Sequence, residues 1–84
     1  SCREEGLTDE YLFTATVIGS QSFVVGGDTL SWDQLRERFQ SRLRAAREHD
    51  CVHQIYVRPG DGTSLAAYRG GVKQLRLLFY YQEM

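Results

Sequence analysis

Proline is nearly missing from this chain of 84 residues: Pro59 stands alone, which excludes a proline-rich linker or recognition tract. Lysine is as scarce, with one Lys against nine Arg, so the positive charge is almost entirely guanidinium, suited to forked contacts with carboxylate or phosphate. No run of about 18 apolar residues occurs, and no secretory leader pattern, so the sequence predicts no membrane-spanning helix within it. Two cysteines are too few for a disulfide scaffold; one bridge between Cys2 and Cys51 depends on the compartment, and the sequence leaves it open. A formal net charge of −1 removes the general electrostatic reason to expect nucleic acid or an anionic membrane as partner. Neither Gly26-Gly27 nor Gly70-Gly71 fits a phosphate-cradling loop, so both pairs read as turn chemistry. No catalytic constellation is present; the chain reads as a non-enzymatic domain without a cofactor.

What is there is enough for one folded domain. Hydrophobic residues make up 42% and aromatics 12%, well outside the range of disordered chains. Ser1 to Glu10 form a polar stretch that reads as a linker, and residues 11–84 as the domain. Tyr11 to Ile18 alternates as a strand, with Tyr11, Phe13, Ala15 and Val17 on one face. A turn at Gly19 to Ser22 leads to a second strand, Phe23 to Val25, and the pair reads as an antiparallel hairpin closed by Gly26-Gly27-Asp28. Ser31 and Gln34 have the spacing of a capping box, and Trp32, Leu35, Phe39, Leu43 and Ala46 fall on one stripe, predicting a four-turn helix to about Glu48. Val52 to Arg58 is a third strand, stopped by Pro59. Leu65, Tyr68, Val72, Leu75 and Phe79 then follow helical spacing; alternation of Leu75, Leu77, Phe79 and Tyr81 keeps open a competing reading in which the helix ends at Gly70 and a terminal strand follows. The expected fold is α+β: a small mixed sheet with two helices on one face, in the order ββαβα with or without that last strand.

Candidate sites are few. His49, Cys51 and His53 form an H-x-C-x-H string whose two-residue steps could turn imidazole and thiolate toward one metal ion, but no second cluster supplies a fourth ligand. The competing assignment makes His49 the end of a helix, Cys51 a small core residue and His53 a residue at a strand edge. Residues 32–47 hold five Arg against Asp33 and Glu37, a local charge of +3 from 5 − 2, so Arg36, Arg44 and Arg47 are candidates for an anionic partner. Tyr80 and Tyr81, in the run Phe79-Tyr80-Tyr81, are candidates for a protein interface.

Taken together, FVVGGDTLSWDQLRERF at 23–39 and QIYVRPGDG at 54–62 resemble the periplasmic domain of the ExbD/TolR family, over about residues 14 to 76. Val25 to Ser31 with Leu35 match that family's strand, turn and helix start; Ile55 to Asp61 approximate its strand ending in R-x-D, with Pro59-Gly60 intruding. The resemblance implies an accessory subunit of a proton-driven complex on the periplasmic side of the bacterial inner membrane. Its partners would be an ExbB/TolQ-like channel and a TonB/TolA-like transducer, with a homodimer and peptidoglycan as further binding modes. The family's proton-carrying aspartate belongs to a membrane anchor outside this chain. Two other readings stand beside it. One is a β-grasp-like interaction module, marked by parallel pairing of first and last strands; the other is a periplasmic protein lipid-anchored through Cys2.

Overall fold

Five short extended segments pair into one mixed sheet, each with its buried side chains turned to one face. The computed structural model describes residues 1–6 and 11–84. Strands β1 (Thr14–Gly19), β2 (Ser22–Val25) and β3 (Asp28–Ser31) run antiparallel in sequence, and β4 (His53–Pro59) and β5 (Phe79–Glu83) add to β1 in parallel, giving the order β3-β2-β1-β4-β5. Ala15, Val17, Phe23, Val25, Leu30, Ile55, Val57 and Phe79 are among those inward side chains. Trp32, Leu35, Val72 and Leu75 from the helices complete the same core, so among the described residues the helices cover one face and the other is bare of helices. The α+β class expected from the sequence is the class observed.

Four details depart from expectation. First, β3 is a strand the pattern hides: its four residues, DTLS, carry only Leu30 inward. It exists because Gly26 (φ 57°) and Gly27 (φ 85°) both take positive φ, the two-residue loop whose twist suits a tight hairpin. Second, the expected single helix is two, α1 (Trp32–Arg38) and α2 (Gln40–Glu48), bent at Phe39 where its ring stacks on Phe13 at 4.5 Å. Its start is as read: Ser31 accepts from the Gln34 amide and Gln34 returns the bond to the Ser31 amide. Third, α3 (Leu65–Leu75) passes through Gly70-Gly71 but stops short of Phe79, and the terminal strand β5 follows; each competing reading held one half of the truth. The glycines stay helical because they let α3 approach β1: a Cβ on Gly71 would lie 2.3 Å from a Val17 methyl and 2.7 Å from the Gly19 carbonyl oxygen. Fourth, the polar start is no free linker over its described part. Cys2 is buried, its amide donates to the Val52 carbonyl, and it is bonded to Cys51 with Cα atoms 4.9 Å apart; residues 7–10, the remainder of the expected linker, lie outside the described residues.

The end of α2 presents Cys51 to that bridge. Asp50 adopts φ 52°, its amide donates to the Arg47 carbonyl, and the Cys51 amide donates to the Ala46 carbonyl, which closes the helix in a Schellman motif. Among the described residues the first and last strands are not neighbours, since β4 separates β1 from β5, so the pairing that marks a β-grasp is not seen there. Among the described residues no helix is long and apolar enough to cross a membrane.

Candidate protein-binding edge

Strand order makes β5 one margin of the sheet, and its composition leaves that margin unguarded. The Met84 amide donates to the Val57 carbonyl, toward β4. Backbone groups alternate along a strand, so Gln82 and Tyr80 share that orientation while Phe79, Tyr81 and Glu83 turn their N–H and C=O outward. Tyr80 is 59% exposed and Tyr81 39%, next to Leu77 at 69%. An edge of this kind, without lysine, proline or a bulge, is a template for another strand. The opposite margin is less available. β3 has four residues, and Asp28 at its start forms a 2.9 Å salt bridge with Arg38 of α1.

A basic shelf lies above the β5 edge. Arg69, Lys73 and Arg76 follow one flank of α3 at spacings of four and three, and line a groove with Tyr68, Val72, Tyr81 and Glu83. None of the three forms a salt bridge with a described residue. Tyr68 donates its hydroxyl to Glu83 at 3.1 Å, and burial, then that carboxylate, push its pKa up to about 12, so it stays a donor. On the bare face of the sheet Tyr11 stacks on Tyr56 with centroids 3.8 Å apart, and its hydroxyl donates to Gln82 at 2.7 Å, tying β5 to the segment ahead of β1.

The residues singled out from sequence divide between two places. Tyr80 and Tyr81 are on the β5 edge, with Arg76 beside them. Arg36, Arg44 and Arg47 line a separate shallow groove on α1 and α2 with Glu37, Leu43 and Leu78. There Arg36 is engaged by Asp33 and sits over the Trp32 ring at 5.9 Å, which makes that groove less basic than its sequence charge. The cations that do accompany the tyrosines, Arg69, Lys73 and Arg76, were missed; their spacing along a predicted helix was the available signal.

The metal string does not assemble. Cys51 spends its sulfur on Cys2, His49 caps α2, and among the described residues no three His, Cys, Asp or Glu side chains gather as a ligand set. His53, expected at a strand edge, is 1% exposed and inside the sheet. Its Nε2 lies 3.3 Å from the Arg42 carbonyl oxygen, which can only accept, so the proton is on Nε2 and Nδ1 is left bare. Burial holds its pKa below the usual histidine value, opposed in part by that hydrogen bond. The bridge also leaves Cys2 no thiol for a lipid thioether.

The chain matches no protein-family model, no curated protein and no solved structure. Fold and surface are therefore the ground for a functional reading.

Proposed function

We propose that this chain is a non-catalytic docking domain, the periplasmic part of an ExbD/TolR-like accessory subunit in a proton-driven energy-transducing complex of the bacterial inner membrane. The observation that carries this reading is the unguarded β5 edge, on a strand that closes the order hairpin, helix, strand, helix, strand. Over residues 14 to 76 that order is in keeping with what the resemblance implies; β5, at Phe79–Glu83, lies beyond that stretch. The Cys2–Cys51 bridge supports an oxidising compartment such as the periplasm. In this reading β5 acts by strand addition, where main-chain hydrogen bonds give affinity and flanking side chains give selectivity. A TonB/TolA-like transducer is the partner that best fits such an edge. The ExbB/TolQ-like channel would contact the membrane anchor outside the chain; homodimerisation and peptidoglycan binding are the remaining modes.

The test is a photo-crosslinker in place of Tyr80 in the native membrane complex. The expected product joins this domain to a membrane-tethered transducer, and its yield changes when a protonophore collapses the proton gradient. Recovery of the native protein with the cytosol, or crosslinks indifferent to the gradient, would overturn the reading.

A further inference from the structure

We infer that the β5 edge takes an extended, acidic segment of its partner, with carboxylates on alternate residues against Arg69, Lys73 and Arg76 and apolar residues between them beside Tyr80. This rests on β5 being the docking edge and names the chemistry of what docks there. A strand added to β5 lies about 4.8 Å outside it, and its side chains alternate between the two faces. Those on the helix side pass beneath the flank of α3, because α3 joins the parallel strands β4 and β5 and returns alongside them. There they meet three cations and the single Glu83 carboxylate, which Tyr68 already engages. From Arg69 to Arg76 the helix rises about 10 Å, and carboxylates two residues apart on a strand are about 7 Å apart. An acid–apolar–acid run therefore fits the shelf. Side chains of the opposite parity fall beside Tyr80, whose ring is exposed on the bare face.

A second copy of the chain fits this edge poorly. Pairing β5 with its own symmetry mate would turn two shelves toward each other, six cations against two Glu83 carboxylates. Like charges across an interface select against such a partner, so the occupant is an acidic segment of a different protein.

The experiment uses the chain with its cystine intact and three fluorescein-labelled probes: Glu-Val-Glu-Val-Glu-Val and the same peptide with Thr or Lys in place of Glu. Anisotropy is expected to rank Glu over Thr by about tenfold, the yield of the two or so partly screened charge pairs that fit the shelf, with no binding of the Lys peptide. The preference should shrink in high salt. Amide shifts should concentrate on β5. Tyr81→Pro removes an outward N–H at an edge position that tolerates proline and should abolish binding, whereas Tyr81→Val should keep it. Reversing the shelf with Arg69→Glu, Lys73→Glu and Arg76→Glu should invert the ranking of the probes. Equal binding of the Glu and Thr peptides would overturn the acidic assignment and leave β5 as a docking edge. Binding untouched by Tyr81→Pro, with shifts elsewhere, would overturn both. A dimer in sedimentation that the Glu peptide displaces would make the occupant a second copy and overturn the assignment to a different protein.

Discussion

His53 is a titratable ring enclosed for a local reason: it precedes Ile55 and Val57 on the inward face of β4 and pairs in register with Phe79. Its inward direction was legible, since period-two alternation puts it on the face of Ile55. Its depth was not, because it comes from α2, whose Arg42 carbonyl lies against the ring, and from β5 beside it, and β5 was only one of two readings. The consequence is a pH dependence of definite sign. In the unfolded chain His53 gains a proton near 6.5, whereas burial keeps the folded ring neutral to lower pH. Its contribution is thus complete above pH 6.5 and declines as pH falls through and below that value. Urea midpoints taken at pH 7 and pH 5 should differ more in the native protein than in His53→Leu, whose lost hydrogen bond lowers both midpoints but removes this slope. Cys51, two residues earlier, carries the complementary lesson. Its sulfur's partner is 49 residues away, and no local pattern encodes that.

At the scale of elements, capping and amphipathic periodicity settled the start of α1, whereas for α3 Asp61, Thr63 and Ser64 were all possible caps and the structure selects Ser64. Ser31 and Ser64 each accept from the amide three residues on. What periodicity could not settle was why α3 tolerates Gly70-Gly71, a pair that costs an isolated helix about 2 kcal/mol against alanine. The contact with β1 explains it, and it reverses the usual expectation for a helical glycine. Gly71→Ala gains about 1 kcal/mol of helix propensity yet must displace Val17 and the Gly19 carbonyl, an overpacking that costs about 1–3 kcal/mol or more. The difference is a net loss of up to about 2 kcal/mol, centred near 1. An unchanged or raised urea midpoint would mean that α3 can lift from β1 without penalty. β3 was missed on similar grounds: with one inward side chain, its strand character comes from the Gly26-Gly27 loop and from pairing with β2, neither of which is a property of DTLS alone.

For the whole molecule, the exposed β5 edge was the least legible feature, because being an edge is a matter of strand order. The aromatic residues were visible in the sequence; that β5 joins β4 alone was not. The bridge from Cys2 to Cys51 is likewise global. Closing a loop across 49 positions restricts the unfolded chain by about 4 kcal/mol in the entropy account, and measured bridges give about 2–4. The variant Cys2→Ser with Cys51→Ser should lose stability in that range, and native protein in reductant should fall to the same midpoint. The bridge also decides how the molecule carries tension. A pull between its ends enters at Ser1, crosses the sulfur pair to Cys51, and never loads residues 3–50, so β1, β2, β3, α1 and α2 lie outside the line of force. The load runs only through β4, α3 and β5. Because β4 and β5 are parallel, the start of one and the end of the other are at opposite ends of the sheet, and the pull shears their ladder with all rungs resisting together instead of peeling it rung by rung. A pull along β5 from its far end would therefore be resisted by the β4–β5 ladder as a whole.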